Sequence, residues 1–422
     1  MNNKIKLAVA GAVLSAASVA NAGIIIPAGD WTLDVNGNVN AFYTTTKFDG
    51  DAAGGYGPLA GGAGANDSVN NITTGLLPNV LGFTGTTRQN DLDVSFTISI
   101  QPGSSTTGAL DQTGSQENRQ AFVTFGDKSW GTVKLGKDLG IFASDAILND
   151  MTLLGVGAGA GHLAGNTTTL GGIGTGYVYA DWKSQVAYTT PNMNGFQATI
   201  GLTQAFNAST GHLSDDALDY GGTTNFSSTT SGGRAGASPA IEAKASYSWS
   251  GDVAGKVWVS GINQKVSGIT NEAAARFGSD DMTAFDIGAT VSSGNATLTA
   301  YYYDGEGLGQ TGQLRDGFDA DGKARDSHGG YIQGTYVIPT GTKLGASYGM
   351  STLETNSSST LGATLDEVTD DRWTVGAYHP LTKHLNLVAE YSKVEREYDG
   401  KGGDADFEGD AESITLGAIL FF

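Results

Sequence analysis

The sequence predicts an all-β protein: a transmembrane, antiparallel β-barrel of sixteen strands. Three observations carry this reading. Past the first twenty-odd residues, no apolar run approaches the ~20 residues that a membrane-crossing helix needs. Segment after segment alternates apolar and polar residues with a period of two. The connections between those segments alternate between short and long along the chain. Hydrocarbon offers no hydrogen-bond partners, so a chain crossing it without long apolar helices satisfies its backbone by closing a barrel.

The leader comes first. Lys4 and Lys6 precede an apolar stretch over 7–20, and Ala20-Asn21-Ala22 follows. Charged, apolar, then small-x-small is the order of an export signal, with cleavage expected after Ala22. Residues 1–22 are then a signal peptide, and 23–422 form the transmembrane barrel domain. Residues 23–28 lead into the first strand. There Trp31, Leu33, Val35, Val39, Ala41 and Tyr43 alternate with Thr32, Asp34, Asn36, Asn38 and Asn40. The same rhythm places strands at 31–45, 80–87, 91–101, 119–126, 131–137, 182–190, 196–206 and 241–250. The second half gives 256–266, 283–292, 296–303, 330–338, 342–350, 372–379, 385–395 and 411–422. In the last of these, Ile414, Leu416, Ala418, Leu420 and the terminal Phe422 share one face. In the clearest segments no charge falls on the apolar side, where it would cost about 2–4 kcal/mol at the bilayer midplane.

The long connections are 46–79, 102–118, 138–181, 207–240, 267–282, 304–329, 351–371 and 396–410. Between them lie turns at 88–90, 127–130, 191–195, 251–255, 293–295, 339–341 and 380–384. Short periplasmic turns and long external loops are the outer-membrane arrangement, and an even strand number puts both chain ends at the periplasmic rim. Trp31, Tyr43, Trp130, Tyr188, Trp249, Trp373 and the terminal Phe pair sit near strand ends, as interfacial girdles require.

Charge narrows the partners. Forty-three acidic residues oppose 23 basic ones, a net of −20, which argues against nucleic acid and for attraction of cations. There is no Cys, so disulfides and thiol chemistry are absent. The five histidines are scattered without metal-ligand spacing. Asp319-Ala-Asp321-Gly322 opens like a calcium loop, but the twelfth position is Gly330 where a Glu is required. Gly155-Val-Gly-Ala-Gly-Ala-Gly161 lacks the Lys-Ser/Thr of a phosphate-binding loop. No nucleophile elbow is present, so no enzyme, cofactor or metal site is expected.

Arg119-Gln-Ala-Phe-Val-Thr-Phe-Gly126, Gly131-Thr-Val-Lys-Leu-Gly-Lys137 and Val186-Ala-Tyr-Thr-Thr-Pro-Asn-Met-Asn-Gly-Phe196 follow one another in order. With the leader and the last strand, they resemble the general diffusion porins of Gram-negative outer membranes over essentially the whole mature chain. That resemblance implies a homotrimer of sixteen-stranded barrels, each with its own pore, whose third long connection (about 138–181) folds into the lumen. The segment over 140–155 resembles the family's constriction. Asp150 matches an acidic pore-facing position, and Asp145 lies in the same stretch. Arg119 matches one rung of the family's basic ladder. The other rungs fall near Asn38, Val80 and Asp181, none of them basic. Lys134 and Lys183, on polar strand faces, are the remaining basic candidates.

A pore's selectivity follows the charges that line it. The last three long connections carry 17 acidic and 5 basic residues. Asp316, Asp319, Asp321, Asp366, Asp370, Asp404, Asp406 and Asp410 would form an acidic external mouth. The sequence therefore predicts a passive channel for small hydrophilic solutes and ions with weak to moderate cation preference. The alternative is a substrate-specific channel of related build, for an oligosaccharide or an organic anion. Expected partners are a second and third copy of the chain, and outer-membrane lipid and lipopolysaccharide, bridged in part by divalent cations.

Overall fold

The computed structural model describes residues 23–50, 57–59, 68–104, 116–159, 168–209, 227–228, 238–267, 269–270, 279–318, 322–355, 365–400 and 407–422. Its strands are β1 (Ile24–Ala28), β2 (Trp31–Gly50), β3 (Ser68–Thr73), β4 (Val80–Gln89), β5 (Leu92–Pro102), β6 (Gln116–Asp127), β7 (Gly131–Leu139), β8 (Trp182–Thr189), β9 (Phe196–Thr203) and β10 (Ser227–Ser228). There follow β11 (Ala240–Trp249), β12 (Val253–Ser267), β13 (Ile269–Thr270), β14 (Ser279–Ser293), β15 (Ala296–Glu306), β16 (Asp326–Val337), β17 (Lys343–Glu354), β18 (Leu365–Pro380), β19 (Leu385–Gly400) and β20 (Phe407–Phe421). Sixteen of them, all but β1, β3, β10 and β13, pair antiparallel with their neighbours around a closed ring. The ring shuts where β20 meets β2, from Asn38↔Phe421 to Gly50↔Gly409. Each of the sixteen expected strands is present.

Two strands join the barrel sheet unforeseen. β1 was read as a lead-in, but it folds back at Gly29 (φ 66°) and pairs with the foot of β2, Ile24↔Val35 to Ala28↔Trp31. The reason lies at the C-terminus. Gly37 and Phe422 exchange backbone hydrogen bonds at 2.8 and 3.0 Å, and below this point β20 is not paired with β2. β1 occupies the edge so exposed. β3 does the same higher up. β4 covers β2 only from Thr32 to Asn38, and β3 takes Phe42 to Lys47. The remaining pair, β10 with β13, forms a separate ribbon between two long connections.

Side chains sort by medium. Ile98, Ile200, Phe285, Ile287, Ile414 and Leu416 are about half exposed on the outer face, while their neighbours Ser99, Thr203, Asp286, Ser413 and Thr415 are buried on the inner one. Aromatics ring both ends of this band. Near the long connections, outward Tyr43, Tyr302 and Tyr348 donate hydroxyl hydrogen bonds to Asn70, Asp304 and Asp371 at 2.9–3.3 Å. Near the short turns, Tyr247 stacks on Trp249 and Trp31 packs on Phe96. Such rings suit the water–lipid boundary. The turn after β4 is a two-residue hairpin whose Asn90 and Asp91 both hold positive φ (48° and 64°), the conformation of a tight turn matched to strand twist. No helix among the described residues is long and apolar enough to cross a membrane, so the crossing is made by strands.

Candidate channel constriction

The segment between β7 and β8 carries a short helix α1 (Ser144–Asn149) and a single 3-10 turn over Met151–Leu154. Irregular backbone away from water needs a partner for every N–H and C=O, and inward side chains of the wall supply many of them. Glu242 of β11 accepts from Ile141 N at 2.7 Å and Phe142 N at 2.8 Å. Asp286 of β14 accepts from Ala143 N at 3.1 Å. Gln333 of β16 accepts from Met151 N at 2.9 Å. Glu390 of β19 accepts from Val156 N and Gly157 N at 2.8 and 3.0 Å. Beyond the barrel strands, Leu76 N donates to Gly155 O. One connection is thus fastened to side chains on four strands.

Each expected site residue has a definite place. Asp150 is buried, and its carboxylate is saturated by its own segment. Oδ1 accepts from Thr152 N and Oγ1 at 2.8 and 2.7 Å; Oδ2 accepts from Gly172 N and Tyr177 Oη at 2.9 and 2.8 Å. Asp145 points at two lysines of the wall, Lys244 of β11 at 3.1 Å and Lys256 of β12 in a closer contact. Burial works against the Asp145 charge, but the two ammoniums outweigh it and hold the carboxyl below its usual range. Arg119 pairs with Glu117 at 2.6 Å and lies over the Trp182 ring. Lys134 contacts Asp138, which also accepts from Gln120 Nε2 at 2.9 Å. Lys183 is wholly enclosed, bonded to Glu242 at 2.7 Å and Gln313 Oε1 at 2.6 Å. Asp181, at a rung position, is half-buried with positive φ, and partial burial raises its pKa; neighbouring Tyr179 is pushed up to about 12 by the same cause.

The acids expected at the mouth are dispersed. Asp316 is buried, with its backbone N–H donating to Ser209 O and its carbonyl accepting from Arg325. Asp370 is held in a two-point bond by Arg396 at 2.6 and 2.7 Å, so its charge is matched in place. Asp410 pairs with Lys393 on the outer face. Asp366 is exposed and caps Thr355 through its carbonyl. Asp319, Asp321, Asp404 and Asp406 lie outside the described residues.

Sequence reasoning passed over Glu242, Lys244, Lys256, Asp286, Lys343 and Glu390. Their one signal was a charge on the polar face of an alternating strand. Of the basic members, Lys134 near the start of β7, Lys256 near the start of β12 and Lys343 at the start of β17 lie toward the short-turn rim, and Lys244 sits at the middle of β11. In their ion pairs the two partners differ in access to water. Lys134, Lys244 and Lys256 keep 31, 25 and 31% of their side chains exposed, against 9% for Asp138 and 6% for Asp145. The wet side of each pair is the cation. Among the described residues no set of His, Asp and Glu is arranged to hold a metal ion.

The comparisons agree with the barrel fold. No curated protein matches the chain. Among solved structures it is similar to the outer membrane channel DcaP of Acinetobacter baumannii, at 16% identity over 95% of this chain and all of that one, with a TM-score of 0.59. It is similar to an anion-selective porin from Comamonas acidovorans at 16% identity, covering 93% of this chain and 100% of that one, TM-score 0.57. It also resembles Salmonella typhi OmpF, solved with daunomycin, at 14% identity over 93% and 100%, TM-score 0.54. Likeness at that identity shows the fold. The solved relatives are transport porins and channels, not enzymes, and the closed barrel places this chain in the outer membrane of a Gram-negative bacterium. The description of the Gram-negative porins matches residues 7–399, and the chain belongs to that family.

Proposed function

We propose that the barrel is a water-filled, substrate-selective channel for small hydrophilic organic anions, narrowed by residues 140–159 and 168–181 folding into its lumen. One observation carries this reading: in the inner-wall ion pairs of Lys134, Lys244 and Lys256 the water-accessible partner is the lysine, Arg119–Glu117 alone among the described half-buried inner pairs having the wetter acid. Charges lining a narrow path select ions more strongly than charges spread over outer loops, which salt screens within about 8 Å. The hydrogen bonds from 141–157 to Glu242, Asp286, Gln333 and Glu390 support the inward fold. The names of two relatives, an anion-selective porin and a dedicated channel, are in keeping with it. The test is conductance of the purified protein in planar bilayers. Saturation with the potassium salt of a small organic acid, and a reversal potential of anion-selective sign, support the proposal. Conductance that stays linear in every salt, with cation selectivity, rejects it.

A general diffusion pore with mild cation preference remains the second reading, and the net charge of −20 favours it. We infer a homotrimer, a state named for the Vibrio cholerae relative OmpT; chemical crosslinking in native membranes tests it. Above the outer aromatic ring, Asp371, Glu395, Asp410 and Asp49 stand in cross-strand register on adjacent strands and face outward. We propose that divalent cations bridge this row to lipopolysaccharide phosphates, so that chelation releases lipid from the purified protein. Residues 1–22 are proposed as the signal peptide.

A further inference from the structure

We propose that Lys244 and Lys256, with Ser144, form a carboxylate-binding subsite in the lumen, and that Asp145 is its built-in counter-charge. This rests on the organic-anion reading above and names the residues that would carry it. The two lysines come from adjacent strands. Lys244 lies opposite Ser260, and Lys256 opposite Ser248, four residues along β11 from Lys244. Their side chains converge on one carboxylate: Lys256 reaches Asp145 Oδ1, and Lys244 reaches Oδ2 at 3.1 Å.

An ammonium has three N–H donors. Lys244 spends two, on Asp145 and on Ser144 Oγ at 2.9 Å, and Lys256 spends one, on Asp145. Three N–H groups remain, on side chains that are 25 and 31% exposed, and small hydroxyl residues (Ser246 and Ser248) fill the wall between them. Lys256 is further positioned over the Trp258 ring at 5.8 Å. Two neighbouring acids are closed to water: Asp286 accepts from Ala143 N, Ser260 N and Tyr301 Oη, and Glu242 is bound by Lys183, Thr203 and two backbone N–H groups. To a solute in the lumen the site therefore presents two cations and one shielded anion. A small aliphatic monocarboxylate matches the remaining single positive charge. Asp145 limits how tightly that solute is held, so that it leaves again, as conduction requires.

The test uses the full purified chain in planar bilayers with potassium propionate as probe. Half-saturation of single-channel current is read for the wild type, Asp145→Asn, Lys244→Gln/Lys256→Gln and Lys244→Arg. Removing the counter-charge in Asp145→Asn is expected to lower half-saturation about tenfold, the effect of one charge a few ångströms away in a partly wet site. The double glutamine variant is expected to raise it at least about tenfold, and Lys244→Arg, which keeps the charge, to stay within about threefold. Heat-modifiable migration on gels confirms that each barrel is folded. If the wild type saturates but the double variant saturates at the same concentration, carboxylates bind elsewhere and this subsite is wrong while the channel reading stands. If the wild type itself shows no saturation, the channel reading falls and the subsite with it. An unchanged half-saturation in Asp145→Asn overturns the role given to Asp145.

Discussion

Glu242→Gln tests what fastens the segment over 141–157 to the wall. Lys183 and Glu242 are both fully buried and 2.7 Å apart, and Glu242 also accepts from Ile141 N, Phe142 N and Thr203 Oγ1. Glutamine keeps an oxygen for the backbone donors but removes the charge, leaving the Lys183 ammonium with neutral partners, Gln313 and the Phe206 ring. Breaking one side of a buried pair costs about 3–5 kcal/mol, because the remaining charge stays out of water. Lys183→Met is milder, about 1–3 kcal/mol, since three donors still satisfy Glu242. The double variant Lys183→Met/Glu242→Gln removes both charges and keeps the backbone bonds, so it is expected within about 1.5 kcal/mol of wild type. The implied coupling is at least about 2 kcal/mol. Guanidinium unfolding in detergent, followed by tryptophan fluorescence, gives the three stabilities; single-channel records of Glu242→Gln should show more frequent closures as the segment loosens. A Glu242→Gln barrel as stable as wild type, or a double variant whose loss equals the sum of the singles, would refute this reasoning.

Other predictions follow from single contacts. The carboxyl of Asp145 titrates below its unfolded value of 3.8 because Lys244 and Lys256 outweigh its burial. Its contribution to stability is therefore intact above about pH 4 and lost as pH falls through the lower folded value; unfolding midpoints of wild type and Asp145→Asn should differ at pH 7 and converge in strong acid. A side chain at Gly155 would begin 2.1 Å from Glu390 Oε1. Gly155→Val should thus free Val156 and Gly157 from Glu390 and destabilise by about 1–3 kcal/mol, which the same unfolding assay reads, with increased conductance in bilayers. N-terminal sequencing of exported protein should begin at Gly23. Cleavage there sets a new ammonium beside Asp34, whose Oδ1 lies against Gly23 and has no hydrogen-bond partner among the described residues. Asp34→Asn should then lower stability by up to about 1 kcal/mol, with sequencing at any other residue overturning the assignment.

What the sequence showed and what it hid have separate physical causes. Ile414 and Leu416 against Ser413 and Thr415 were legible because one face meets lipid and the other does not. β3 was not, because Val69 and Ile72 lie on opposite faces and leave no period-two signal. β18 and β19 extend past the expected ends at 372 and 395 to Leu365 and Gly400. Above the lipid band the outer face is polar and the inner face carries buried charges such as Asp370 and Arg396, so the apolar–polar alternation fades while the hydrogen-bond ladder continues, as in Glu397↔Glu408. Site residues divide the same way. A charge such as Lys244 amid Ser and Ala reads as inward facing. The residue it meets is set by how the barrel closes: Asp145 reaches Lys244 across 99 positions, and Val156 reaches Glu390 across 234. No local pattern encodes such distances.

The join between Asn38 and Phe421 bears on how the molecule is made. Nearly the whole chain separates these partners, so until the final residues arrive both flanks of the sheet stand bare and able to recruit foreign strands. Where strands pair in chain order, closure is a single late clasping step, and a sheet without β20 would be an open gutter in the bilayer.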